Sequence, residues 1–297
     1  QGMVLNQTFY RKTNDEKIVY FNPEDVLLEK DSKGKIINAK LIKDNLPVFF
    51  GNSEKMSKSK NNGVDPQTLI NKYGADTARL FMMFAAPPEH TLEWSEDGVE
   101  GAYKFLKRLW SFCEFASLNI NENLVKNSLN LIGEKNKSSL RRRTHEILVQ
   151  ANYDMERFQY NTVVSASMKL LNLLEENKKN NQIQEEKQID KNKEIMIESL
   201  SILIRLLYPI TPHICYHLWY KLKFDIAYGD LTSCQWPLVD QQALIQDEIS
   251  ITLQINGKVR DRIKVNSKAT NDEIEQIALN SDAYKKFSHG KKLKKAI

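Results

Sequence analysis

The sequence predicts a mainly α fold with small β parts: a β-rich insertion, a cationic signature loop, a five-helix bundle and a small α+β C-terminal domain. Three observations carry that expectation. Apolar residues at i, i+3, i+4, i+7 spacing set in at residue 95 and persist to residue 222. Short apolar or alternating runs, cut by turn residues, fill positions 8–50. Period-two alternation returns at Ile249, Ile251, Leu253 and Ile255, followed by Asn256-Gly257, a strong hairpin signal.

The length of 297 residues allows two or three domains with substantial cores. At 41% hydrophobic and 27% charged, the composition is that of an ordinary globular protein, and the net charge of +5 leans only weakly towards an anionic partner. Cys113, Cys215 and Cys234 are widely spaced and odd in number, which argues for reduced thiols in a cytoplasmic setting and against a disulfide framework or a zinc site. No run approaches the roughly 18 apolar residues of a membrane span. Gln1-Gly2-Met3-Val4-Leu5 is not a signal peptide and reads as an internal start, so a fragment is expected.

Within residues 1–50, strands are expected at 17–21, 26–29 and 35–39, separated by Asn14-Asp15, Asn22-Pro23 and Asp31-Ser32-Lys33-Gly34. Residues 51–94 hold the loop and the helices after it. Lys55-Met56-Ser57-Lys58-Ser59 lies among Gly51, Asn52, Asn62 and Gly63, with only Met56 apolar enough to bury, so it reads as a mobile surface loop with two point charges. Asp65-Pro66 is a cap and first-turn proline that open a short helix to Tyr73. A second helix follows over 75–86, buried through Leu80, Phe81, Met83 and Phe84 and ended by Pro87-Pro88. Arg79 on that helix is expected in a salt bridge, with a phosphate as the other option.

Residues 95–223 form the bundle. Its helices are expected from a Ser95 cap through Phe112, over 138–158, over 162–175 with Asn161 as cap, over 193–207 and over 212–222 with Thr211-Pro212 at the start. Residues 119–137 read as a polar connection and 177–193 as a solvated link. The helix over 193–207 is apolar nearly all round and is placed at the centre. Residues 224–247 are a linker. Residues 248–297 give the hairpin, a capping box at Thr270 and Glu273 opening a helix to about Asn280, and an unfinished strand at 293–297.

The loop's chemistry suits a polyanion. A flexible cationic loop docked on a helix start can grip a polyanion such as a triphosphate, and mobile ammonium groups that close only as charge builds stabilise a transition state selectively. Ser57 and Ser59 add donors. Arg141 and Arg142 near the start of a bundle helix are candidate phosphate contacts, balanced against a solvated face. Lys258 and Arg260, with Arg262 next along, are expected on one face of the hairpin strand, and Lys285, Lys286, Lys291 and Lys292 add cations in the tail. Such a set fits a nucleic-acid backbone. His213 and His217 stand at i, i+4 without a third ligand nearby and read as core or cap-side residues rather than a metal site.

Lys55-Met56-Ser57-Lys58-Ser59, followed by Asn61-Asn62-Gly63-Val64-Asp65-Pro66 and Tyr73-Gly74-Ala75-Asp76-Thr77-Ala78-Arg79-Leu80, resembles the second signature of class I aminoacyl-tRNA synthetases. Thr91-Leu92-Glu93-Trp94, Gly98-Val99-Glu100-Gly101, Thr211-Pro212-His213-Ile214-Cys215 and Ile255-Asn256-Gly257-Lys258-Val259-Arg260 extend that resemblance to the bacterial leucyl-tRNA synthetases over nearly the whole chain, as a C-terminal fragment. The resemblance implies leucine–tRNA ligation with ATP, magnesium, leucine and leucine tRNA as cofactor and partners, and a cytoplasmic monomer with no membrane contact. It implies ATP binding by residues 55–59, with Lys58 on the phosphates and Lys55 assisting. It further implies a bundle along the tRNA stem and a C-terminal domain at the tRNA elbow or variable arm. The family's first signature, nucleotide-fold strands before the loop and the editing domain are not found, so the fragment is expected to be inactive alone. A freestanding RNA-binding module and a valine, isoleucine or methionine enzyme remain the alternatives.

Overall fold

The computed structural model describes residues 2–32, 36–134, 138–180, 186–245, 248–255, 257–266 and 269–288. They fall into two compact units, Gln1–Leu131 with Thr144–Val239, and Ile132–Arg143 with Asp240–Ile297. Helices dominate, with small sheets, as the sequence predicts.

The first unit opens with β1 (Val4–Lys12), β2 (Ile18–Phe21), β3 (Val26–Lys30), β4 (Ile36–Leu41) and β5 (Phe49–Lys55). β2, β3 and β4 follow the expected runs, while β1 and β5 are strands that the sequence reading did not mark. β5 is the sequence Phe-Phe-Gly-Asn-Ser-Glu-Lys, too polar and Gly/Asn-rich to read as a strand by itself. It is held by antiparallel pairing to β1, from Leu5 opposite Lys55 to Tyr10 opposite Phe49. β3 and β4 form a separate antiparallel pair. Phe9, Val26, Ala39, Leu41 and Val48 make the local core, with Phe21, Leu28 and Ile36 packed against it.

Beyond the loop come α1 (Pro66–Tyr73), α2 (Ala75–Phe84) and the two-residue β6 (Leu92–Glu93), which pairs parallel with β1. Gly74 joins the two helices with φ at +85°, a conformation that glycine adopts without a side-chain clash. α2 buries Leu80 and Phe81, whereas Phe84, expected on the inner side, is 38% exposed.

The helices that follow are α3 (Glu96–Ser117), α4 (Glu122–Ser128), α5 (Ser139–Glu156), α6 (Tyr160–Asn180), α7 (Glu186–Leu207), α8 (Pro212–Lys221) and α9 (Asp225–Tyr228). Ser95 caps α3 by accepting the Gly98 N–H. α4 stands where a polar connection is expected: Asn121 caps it, and Leu124, Val125 and, just beyond it, Leu131 are buried. α4 is seven residues long with only Leu124 and Val125 apolar, too few to show a period. α6 and α7 both run into the expected link at 177–193, because Glu, Lys and Gln are strong helix formers. α7 is central as expected, with Leu200, Ile202, Leu203, Ile204, Leu206 and Leu207 all buried, each side chain stabilising the fold by roughly 1.5–3 kcal/mol. Asn161 lies inside the first turn of α6 and not at its cap, and its buried Oδ1 has no partner among the described residues.

The second unit carries β7 (Glu248–Ile255) paired antiparallel with β8 (Lys258–Asn266), then α10 (Asn271–Asn280) and α11 (Asp282–Ser288). The Thr270–Glu273 capping box forms as read from the sequence. α11 is unexpected, being too short for a periodic pattern. The strand expected at 293–297 lies outside the described residues.

Candidate functional site

The signature loop leaves β5 at Lys55 and turns through one 3-10 turn, Lys58–Lys60. Lys55 therefore sits on the end of a paired strand and not in a mobile segment. Asn61 closes the turn in the left-handed region, φ +48°, which asparagine tolerates. Met56 is half-buried, and its N–H donates to the Val4 carbonyl at 3.1 Å.

The loop's anchor is polar. Asn62 is fully buried. Its Oδ1 accepts the Ser57 N–H at 2.9 Å, and its Nδ2 donates to the carbonyls of Asn6 and Glu54, both at 3.2 Å. Asn6 returns a bond from Nδ2 to the Asn62 carbonyl at 3.1 Å. Donor and acceptor sites of the Asn62 amide are thus used, as a buried amide requires. Hydropathy could not single it out, since Asn61-Asn62-Gly63 reads simply as turn chemistry.

Three lysines share the loop and differ in state. Lys60 is tied to Glu54. Lys55 and Lys58 are exposed and have no ion-pair partner among the described residues. Ser57 and Ser59 stand with their hydroxyl oxygens 3.3 Å apart. Two uncommitted ammonium groups and two hydroxyls on an anchored turn can meet phosphate oxygens. Below the loop, Asp65 caps α1 by accepting the Thr68 N–H at 2.9 Å and hydroxyl at 2.7 Å, and the hydroxyl bond holds its carboxyl below the usual range.

α2 is fastened to the bundle by two polar side chains. The buried Asp76 accepts the Ile214 N–H at 2.7 Å and meets His213 Nδ1 at 2.9 Å. Arg79 has no salt bridge among the described residues; it donates to the carbonyls of Ile210 at 2.8 Å and Pro209 at 3.1 Å. His213 thus stands on the cap side of α8. His217 stacks on Trp110 with centroids 4.9 Å apart.

In the second unit, the Arg141 reading needs correction. Its side chain is fully buried and pairs with Asp240 at 2.7 Å, donating as well to the Glu134 carbonyl at 3.1 Å. It holds the unit together and does not face solvent. Burial pushes the Asp240 carboxyl up, but Arg141 and the N–H groups of Gly133 and Gln242 outweigh it and keep the group below its ordinary range. Arg142 is half-buried and Arg143 exposed.

The hairpin cations do not form the expected row. Leu253 faces Asp261 and Gln254 faces Val259, so Arg260 is an extra residue in β8, a bulge. Alternation reverses across it. Arg262 and Lys264 share the face of Thr252 and Ser250, while Lys258, opposite Ile255, shares the other face with Ile263 and Val265. Lys258, Arg260 and Arg262 are all exposed. The Arg260 guanidinium lies 4.2 Å from the Phe287 ring centroid, with Lys286 5.7 Å from the same ring. Lys285 and Lys286 are exposed on α11; Lys291 and Lys292 lie outside the described residues.

Burial raises the Cys113 thiol and pushes Cys215 up to about 12, so neither is reactive. No helix among the described residues is long and apolar enough to cross a membrane.

Residues 40–95 match the family described as tRNA synthetases class I (I, L, M and V), and residues 137–276 match the anticodon-binding domain of tRNA ligase. Leucine–tRNA ligases of Ralstonia nicotianae, Cupriavidus pinatubonensis and Paraburkholderia phymatum are 49%, 48% and 46% identical over all 297 residues. The chain spans about a third of the length of these curated relatives, 32%, 32% and 33% respectively. A crystal structure of a LeuRS–tRNA–LeuAMS ternary complex from Agrobacterium radiobacter superposes with a TM-score of 0.60 at 21% identity, covering 82% of this chain and 29% of that one, which shows a shared fold. Near-half identity along its whole length, with the class I match across the signature loop, makes the chain similar to about a third of the length of leucine–tRNA ligases.

Proposed function

We propose that this chain is part of a leucine–tRNA ligase, which joins leucine to its tRNA while ATP is converted to AMP and pyrophosphate. The chain supplies the loop that grips the ATP phosphates and the modules that hold the tRNA. Alone it is inactive.

The observation that carries this reading is the state of the loop. Lys55 and Lys58 are exposed and uncommitted beside Ser57 and Ser59, on a turn pinned by Asn62. Lys58 meets the departing phosphates and Lys55 assists, with Met56, Ser57 and Ser59 completing the grip. Closing charge onto phosphates as they leave favours the transition state over bound ATP. Magnesium enters on the ATP; the loop's ammonium and hydroxyl groups fit phosphate oxygens and not the metal.

The bundle, about residues 95–223, runs along the tRNA stem. Lys258, Arg260, Lys285, Lys286, Lys291 and Lys292 belong to a backbone-binding C-terminal domain, with Arg142 as the remaining member of the bundle-side pair. A monomer working in the cytoplasm suffices for this arrangement.

The test is charging by the full-length protein with each amino acid and purified tRNA. Leucylation of leucine tRNA is the expected result. Charging with valine, isoleucine or methionine instead, or RNA binding with no charging and no need for Lys58, would contradict it.

A further inference from the structure

We propose that Asp76 and Arg79 are positioning residues for the ATP loop: by clamping α2 onto the α7–α8 corner, they fix where Lys58 stands. The inference rests on the reading of Lys58 given above.

A helix start leaves N–H groups without partners, and a helix end leaves carbonyls without them. α1, α3, α4 and α10 are each capped by the residue just before them, Asp65, Ser95, Asn121 and Thr270. α8 is not. The Thr211 hydroxyl turns back to the Leu207 carbonyl at 3.3 Å and leaves the start of α8 without a side-chain cap of its own. The Ile214 N–H goes instead to Asp76, which is only 8% exposed. On the other side of the corner, the Pro209 and Ile210 carbonyls go to Arg79. Asp76 and Arg79 are three apart on α2 and so face the same way. One short helix thus holds both the turn after α7, through the Pro209 and Ile210 carbonyls, and the open start of α8.

That helix is tied to the loop link by link. Asn62 pins the turn carrying Lys58, Asp65 caps α1, and the Thr77 hydroxyl donates to the Tyr73 carbonyl at 2.7 Å across Gly74. A shift of the corner is therefore passed to the loop through these hydrogen-bonded elements and the two residues, Gly63 and Val64, that join Asn62 to Asp65. A local cap on α8 would have served stability alone. Delegating that cap, and the hold on the turn before it, to α2 makes the loop's position depend on the bundle.

Spatial intermediacy is not coupling, so the test is a double-mutant cycle. Leucine-dependent pyrophosphate exchange is measured in the full-length protein for Asp76→Asn, Arg79→Lys, Lys58→Ala and the two doubles with Lys58→Ala. Each of the first two should lower kcat about ten-fold with the KM for leucine unchanged, in the range of typical site-to-site coupling. In the Lys58→Ala background the same substitution should cost less than about two-fold, because the group it positions is gone. Losses that multiply, or no loss in the single variants, overturn the inference. Arg79→Lys carries the test if Asp76→Asn does not fold. Full activity of Lys58→Ala would instead overturn the loop reading itself, which separates the two failures.

Discussion

Asp76, in the first turn of α2, accepts the Ile214 N–H at 2.7 Å across 138 positions of sequence. The side chain caps a helix to which it does not belong. Asp76→Ala removes that cap and should cost about 1 kcal/mol, the usual loss for an N-cap, with Asp76→Asn costing less. Thermal or urea unfolding of the two variants checks the order.

Asn62 offers a second stability test with a functional echo. Asn62→Ala leaves the Asn6 and Glu54 carbonyls and the Ser57 N–H without their partner, a loss of roughly 1–3 kcal/mol for buried groups left unsatisfied. The loop should also sit less firmly, so the KM for ATP rises while tRNA affinity stays the same. Denaturant unfolding and pyrophosphate exchange read the two effects separately.

The cations of the second unit should divide by role. Arg141→Met strands the Asp240 carboxylate in a site where its side chain is 11% exposed, and breaking a buried pair costs roughly 3–5 kcal/mol. Lys258→Ala should instead leave the fold unchanged, weaken tRNA binding and reduce the slope of log affinity against log salt by about 1. A salt titration of binding beside an unfolding curve distinguishes them.

The Arg11–Asp44 pair sets an acid-limb expectation. Two bonds from the Arg11 guanidinium, at 2.6 and 2.8 Å, with the Leu46 N–H, hold the Asp44 carboxyl down at about 2 from an ordinary 3.8. A carboxyl lowered on folding contributes stability above its unfolded value and loses it as pH falls through the folded one. The stability difference between the parent and Arg11→Met should therefore be full above about pH 4 and fade towards about pH 2. Unfolding curves at several acid pH values measure it.

Periodicity revealed most of the fold. The stripes of α3 and α7, the Asp65-Pro66 start of α1 and the Thr270–Glu273 box all follow from local rules. What it did not reveal depends on partners distant in sequence. β5 is a strand only because β1 lies beside it, and Asn62 is an anchor only because Asn6 and Glu54 surround it. Arg141 could be read as a phosphate contact until Asp240 was seen across from it. The bulge at Arg260 is a register effect, invisible in a run of alternating residues. At the loop itself, the exposed Lys55 and Lys58 are where residue type suggested.

The claim that Lys58 closes on the ATP phosphates stands or falls on Lys58→Ala in the full-length protein, assayed by leucine-dependent pyrophosphate exchange with tRNA affinity measured alongside. The expected result is a loss of adenylate formation of about 100-fold or more, comparable to removing one charge-stabilising donor from a transition state, with tRNA affinity unchanged. Exchange at the parental rate would contradict it.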